Sequence, residues 1–212
     1  MFVGVPLVLP ALIGALHLPI ARPLLGALGM GCPLKASPEE VEAARLRSAR
    51  AVRGTEPSPA RPALGFRLDQ MTRAEVEAWA SQSGLSCQPS QQGMVLRCKA
   101  VPATALGEAE GMVDDLTFGF RPQDGRLVNL TALRAQPDPG AAAETLQRIR
   151  AGLAAKLGEG RLLGQPTALY LAGGALRTAL VEYRFRDYLA DVSATNLGDR
   201  VVVREHYMSA LD

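Results

Sequence analysis

In two stretches the chain alternates apolar and polar residues with period two and breaks that rhythm only at turn-forming residues. In the first stretch, Met94, Leu96, Cys98 and Ala100 alternate with Val95, Arg97, Lys99 and Val101. Leu116, Phe118 and Phe120 follow, and Pro122-Gln123-Asp124-Gly125 turns the chain into residues 126–134. In the second, Val181, Tyr183 and Phe185 alternate with Glu182, Arg184 and Arg186; Tyr188, Ala190, Val192 and Ala194 come next, and Asn196-Leu197-Gly198-Asp199 turns into residues 201–208. Successive side chains of a strand point to opposite faces, so each run reads as a half-buried strand and each turn as a hairpin. No helical pattern separates these strands. The pattern therefore favours an antiparallel sheet in an α+β fold.

A helix signal stands ahead of each stretch. Thr72 and Glu75 have capping-box spacing, Val76, Trp79 and Ala80 form one stripe, and Gly84 supplies the stop. Asp138-Pro139 caps the second helix, Leu146, Ile149, Leu153 and Leu157 line it, and Gly158 closes it. Similar phrases follow the two helices, Leu85-Ser86-Cys87-Gln88-Pro89 and Leu162-Leu163-Gly164-Gln165-Pro166. The expected body is two α-β-β-β repeats, residues 66–136 and 137–212, forming one antiparallel sheet of roughly six strands with two helices packed on one face. Leu169 to Leu171 is a candidate for one more short strand.

The beginning of the chain sets the expected compartment. Residues 2–21 carry no charge and are mostly apolar, and a bilayer span takes about 20 such residues. Pro6, Pro10, Pro19 and His17 interrupt that run. Arg22 then precedes a second apolar stretch that ends at Cys32, which fits the basic start, apolar middle and small-residue end of a secretory signal. The segment Leu28-Gly29-Met30-Gly31-Cys32 resembles the lipobox of bacterial lipoproteins, with Gly29 where that family favours leucine. The resemblance implies that Cys32 is lipidated and becomes the new N-terminus. Residues 1–32 are thus expected to be a signal peptide or membrane anchor.

Residues 33–65 read as a tether rich in Pro, Arg and Ala. Ser37 and Pro38 open a short helix running to about Val52, with a thin apolar face of Val41, Leu46 and Val52, and Gly54 to Pro62 reads as an extended linker. Its basic side chains either attract an anionic membrane or belong to a solvated spacer.

The cysteines allow a geometric test. If the first hairpin turns at Gln92-Gly93, facing residues have numbers summing to 185, which places Cys87 opposite Cys98. An oxidising compartment makes this a disulfide worth ~2–3 kcal/mol and leaves Cys32 for lipid; a reducing one leaves two core thiols.

Catalytic signatures are sparse. Lys and Arg number 23 against 21 Asp and Glu, so nucleic acid is not the expected partner. No Gly-x-Ser-x-Gly, His-Glu-x-x-His or phosphate-loop sequence occurs, and no metal or small-molecule cofactor is expected. His206 follows Glu205 directly, and adjacent strand residues point to opposite faces, so those two do not form an acid–base pair. Asp114-Asp115 reads as a solvated turn, Asp187 and Asp191 do not converge, Trp79 belongs to the core, and Ser193 to Gly198 reads as a hairpin connection. Glu182, Arg184 and Arg186 share one strand face and form the candidate contact surface.

The abundance of Ala, Gly, Leu, Arg and Pro suits a GC-rich bacterial genome. The element order resembles small secreted or periplasmic proteins such as β-lactamase inhibitor proteins and the small lipoproteins of outer-membrane assembly. The expected function is an exported, membrane-tethered, non-enzymatic protein facing the periplasm, which binds or scaffolds another cell-envelope protein. Two alternatives stay open: a small envelope hydrolase, and a secreted inhibitor-like module.

Overall fold

The computed structural model describes residues 36–211. Cys32 and the lipobox-like segment therefore lie outside the described residues, as does the whole candidate signal or anchor. From Pro38 onward the chain forms one compact unit.

Among the described residues four α-helices and eight strands follow one another. They are α1 (Pro38–Val52), α2 (Arg73–Gln82), β1 (Cys87–Ser90), β2 (Val95–Pro102), β3 (Met112–Phe120), β4 (Leu127–Gln136), α3 (Pro139–Leu157), β5 (Arg161–Leu163), α4 (Ala168–Ala172), β6 (Thr178–Arg184), β7 (Tyr188–Asn196) and β8 (Val201–Ser209). The strands form a single sheet in the order β1-β2-β3-β4-β8-β7-β6-β5, and every pairing is antiparallel. The fold is thus α+β, with eight strands where roughly six were expected. The additions are the short edge strands β1 and β5, whose three to four residues are too few to show a periodic pattern. Leu169 to Leu171 belongs to helix α4, capped by Thr167, whose side chain accepts from the Tyr170 amide at 3.2 Å.

The helix signals place their elements closely. Thr72 and Glu75 form the reciprocal capping box at the start of α2. Asp138 accepts from the amides of Gly140 and Ala141 at 2.7 and 2.9 Å at the start of α3, and Gly158 ends it at φ +81°. The core joins Val76 of α2 and Leu146, Leu153 and Leu157 of α3 to Leu116, Phe118, Leu130, Val192, Val203 and Tyr207 of the sheet. Trp79 meets Phe66 and Phe118 edge-to-face, at centroid distances of 4.8 and 5.8 Å.

Helix α1 has the expected bounds but docks through a different face. Val41 and Val52 are exposed, and Ala49 is buried against Leu189, Met208 and Ala210. Only a small side chain lets the helix backbone approach the sheet that closely. Glu42, also buried, is held by Arg45 at 2.7 Å, and Arg45 reaches the Ser209 carbonyl. The segment after α1 is bonded to the β6–β7 turn: Arg186 donates its amide to the Glu56 carbonyl and Ser58 donates to Asp187, both at 2.8 Å. The Tyr188 hydroxyl donates to the Pro62 carbonyl. Residues 38–65, most of the expected tether, therefore lie against the sheet within the same compact unit.

Candidate functional site

The first hairpin adopts the register that the turn arithmetic requires. Cys87 faces Cys98, and the two form a disulfide with Cα atoms 4.2 Å apart.

The sheet's two faces differ in kind. Cys98, Leu116, Ala132, Glu205, Val192 and Val181 stand in register on six successive strands and face the helices. The neighbouring residues form the opposite row, Arg97, Thr117, Thr131, His206, Asp191, Glu182 and Arg161, which crosses seven strands. That row is a polar stripe across nearly the whole sheet.

Three carboxylates root the charges of this open face. Asp115 accepts from Arg97 and Lys99. Asp191 accepts from Arg204 and lies 3.1 Å from His206 Nδ1. Glu182 accepts from Arg184 at 2.5 Å, with Arg161 at 3.9 Å. Glu182 and Asp191 face each other directly across β6 and β7, a like-charge pair that needs these cations. The carboxylates lie deep and the cations lie outermost. Side-chain exposure is 6, 16 and 11% for Asp115, Glu182 and Asp191, against 51, 62, 73 and 45% for Arg97, Lys99, Arg161 and Arg204. The surface presented outward is therefore cationic.

Protonation follows from this geometry. Burial pushes the Asp115 carboxyl up, but hydrogen bonds from Arg97, Lys99 and Thr117 outweigh it and hold the group at about 2. Burial opposes ionisation of Asp191 as well, and the hydrogen bond and charge of His206 together with Arg204 bring it below its ordinary value. Both carboxylates stay charged at neutral pH.

A second polar group is sealed on the helix side. Glu205 of β8 pairs with Arg134 of β4, with side-chain exposures of 2 and 4%. The Tyr207 hydroxyl donates to Glu205 at 2.5 Å, and Arg134 also reaches Glu108. Burial lowers the Arg134 pKa, and the Glu108 charge works against that. Burial likewise pushes the Tyr207 phenol up. A cleft of about 470 Å³ opens above, between residues 62–66 and α3, walled by Leu64, Phe66, Leu106, Ile149 and Leu153.

Of the candidate contact surface, Glu182 and Arg184 lie on the open face in β6. Arg186 falls beyond the strand, exposed in the turn to β7 and bonded through its amide to Glu56. Asp114 and Asp115 are strand residues of β3, not a turn, because Asp114 accepts from the Ala135 amide at 2.6 Å and Asp115 is ion-paired. Asp187 and Asp191 serve separate partners, Ser58 and His206.

The Asp191–His206 pair escaped the sequence reading although a signal was present. A β7–β8 turn at residues 196–200 makes facing numbers sum to 397, and 191 plus 206 meets that sum, as the observed register does. Arg134–Glu205 had only a weaker signal, a charge at an inward-facing strand position, since β4 and β8 share no hairpin. Among the described residues no group of three or more His, Cys, Asp or Glu is placed to hold a metal ion, and no helix is long and apolar enough to cross a membrane. No family model, curated protein or solved structure matches the chain.

Proposed function

We propose that this is an exported, membrane-tethered, non-enzymatic protein whose open sheet face docks an acidic surface of another cell-envelope protein. The observation that carries this reading is the layering of charge on that face. Its carboxylates are rooted in the sheet while Arg97, Lys99, Arg161 and Arg204 stand outermost. Fixed, rooted cations steer an acidic partner and set its orientation more than they add raw affinity. Asp191 is shared between His206 and Arg204, which suits holding charge in place better than passing a proton. Export is supported by the disulfide, which persists in an oxidising compartment, and tethering by the lipobox-like residues ending at Cys32.

On this reading the body is two related halves, each a helix followed by a strand meander. Their last strands, β4 and β8, meet at the centre of the strand order. Helices α2 and α3 cover one shared face, while α1 covers the Leu189–Met208 end of the other and leaves its charged row to the partner.

The test places a photo-crosslinking residue at Thr131 or Arg204 on the open face and, as control, at Lys156 on α3, in cells expressing the full chain. The expected result is one discrete crosslinked envelope protein from the open-face positions, weakened by salt, and none from Lys156. Equal or absent crosslinking at both faces overturns the docking face. Intact mass of the protein from its native membrane separately tests the tether, which requires a chain beginning at lipidated Cys32.

A further inference from the structure

The loops at one end of the second half carry three leucines in the open: Leu169 of α4, Leu176 in the turn before β6, and Leu197 in the β7–β8 hairpin, at 86, 76 and 43% exposure. One residue ties their segments together. Asn196 accepts from the Leu176 amide at 2.6 Å and donates its own amide to the Arg177 carbonyl at 3.0 Å. Its side chain donates to the Leu171 carbonyl at 2.9 Å and accepts from the Gly198 amide at 2.7 Å. The three loop tips thus form one ordered end.

Leu176 is held at φ +63°, a left-handed conformation that a leucine side chain opposes and that glycine or asparagine adopts with little strain. A leucine there strains the turn and buries little of itself, so its apolar side chain serves a contact that the described residues do not supply. Beside it, the Arg177 guanidinium sits 5.3 Å from the Tyr170 ring centroid. Arg200 closes the Leu197 turn by accepting that residue's amide on its carbonyl. Neither arginine forms a salt bridge among the described residues, and Asp199 is the acidic residue of the turn between Leu197 and Arg200.

We propose that this end is a lipid-contact platform: Leu169, Leu176 and Leu197 enter the acyl boundary of a bilayer while Arg177 and Arg200 meet its anionic headgroups. Aliphatic side chains on separate tips with cations beside them match the interfacial mode of membrane binding, in which apolar insertion and headgroup attraction add. The platform does not rest on the open-face reading. It lies at the end of the strands opposite the one where Pro38 begins α1, next to residues 92–94 and 120–122.

The test uses the full chain on vesicles of phosphatidylglycerol and phosphatidylcholine, with and without bromine on the acyl chains. Residues 2–21 give the protein another apolar segment, so local insertion is read instead of total binding. The probe is Leu176→Trp; the native Trp79, packed between Phe66 and Phe118, is the internal control. Brominated lipid is expected to quench the emission added at position 176 and to leave that of Trp79 in the wild type unchanged. Arg177→Gln and Arg200→Gln, each added to Leu176→Trp, should lower the insertion equilibrium read by that quenching roughly fivefold on anionic vesicles. Leu176→Asn keeps the turn conformation, so its melting temperature should hold or rise, while quenching of a tryptophan placed by Leu197→Trp falls several-fold. Vesicle-bound protein whose position-176 emission ignores brominated lipid overturns the proposal. So does a dimer in lipid-free detergent solution that Leu176→Asn dissociates, which would assign the leucines to a second copy.

Discussion

Glu205 and His206 are neighbours in one strand, yet the two faces of the sheet use their charges in opposite ways. Glu205 turns inward, where Arg134 and Tyr207 enclose it and water reaches almost none of it. His206 turns outward, onto an aspartate that also holds Arg204, with the arginine nearly half exposed. Inside, the desolvation cost is large, and the pair is tolerated only because the two charges lie against each other while Tyr207 donates to Glu205 and Arg134 donates to Glu108. Outside, solvent screens the same kind of pair to a small stabilising effect, and its value lies in fixing where a cation stands. Removing a charge should therefore wreck stability on one face and barely move it on the other.

The largest effect belongs to the inner pair. Glu205→Ala strands the Arg134 guanidinium beneath the helices and should cost ~3–5 kcal/mol in denaturant unfolding. The double variant Arg134→Met with Glu205→Leu removes both charges and should recover most of that loss. A single variant as stable as the wild type would show that water, not protein, surrounds the pair. The disulfide comes next, since Cys98 is fully buried on the same inner face. Replacing Cys87 and Cys98 together with serine should lower stability by ~2–3 kcal/mol, read as melting temperature, with export unchanged. Equal melting temperatures would remove the disulfide from the stability of the sheet.

How much of this was legible depends on sequence distance. The hairpin arithmetic placed Cys87 on Cys98, and the same arithmetic contained Asp191 on His206, because a hairpin register is set by its turn. The β4–β8 junction joins residues some 70 apart, such as Ala132 and Glu205, and no local rule reaches it. Caps and stops located α2 and α3 because Thr72, Glu75 and Asp138 act within one turn of their helices. Helix α1 was located by Ser37 and Pro38, but its docking face was not, since an apolar stripe favours Val41 and Val52 while the sheet accepts only Ala49 at close range. The edge strand β5 and the helix α4 are too short to show a periodic pattern, and β1 was reached only through the hairpin arithmetic. The Pro-rich stretch after α1 has the composition of a linker, and only its backbone bonds to the β6–β7 turn place it on the body.

Acid titration sharpens the contrast by a smaller effect. Asp115, at about 2, and Asp191, also lowered, bind protons less readily folded than unfolded. Their contribution is complete above the unfolded value near 4 and is lost as pH falls through the folded values. Stability contributed by these groups should therefore be flat from pH 7 to about 4 and decline toward pH 2. Asp115→Asn should flatten that decline, and an unchanged acid limb would mean that the Arg97 and Lys99 contacts do not persist in solution.

The smallest change in stability is expected at a cation whose carboxylate keeps a second partner. Arg204→Ala leaves Asp191 its hydrogen bond to His206, so unfolding should shift by less than about 1 kcal/mol. Crosslinking yield at Thr131 should nevertheless fall and lose salt sensitivity, because a rooted cation acts on the approach and orientation of an acidic partner. A loss of several kcal/mol would place Arg204 with the structural charges of the inner face, whereas unchanged stability with unchanged crosslinking would take the open face out of partner recognition.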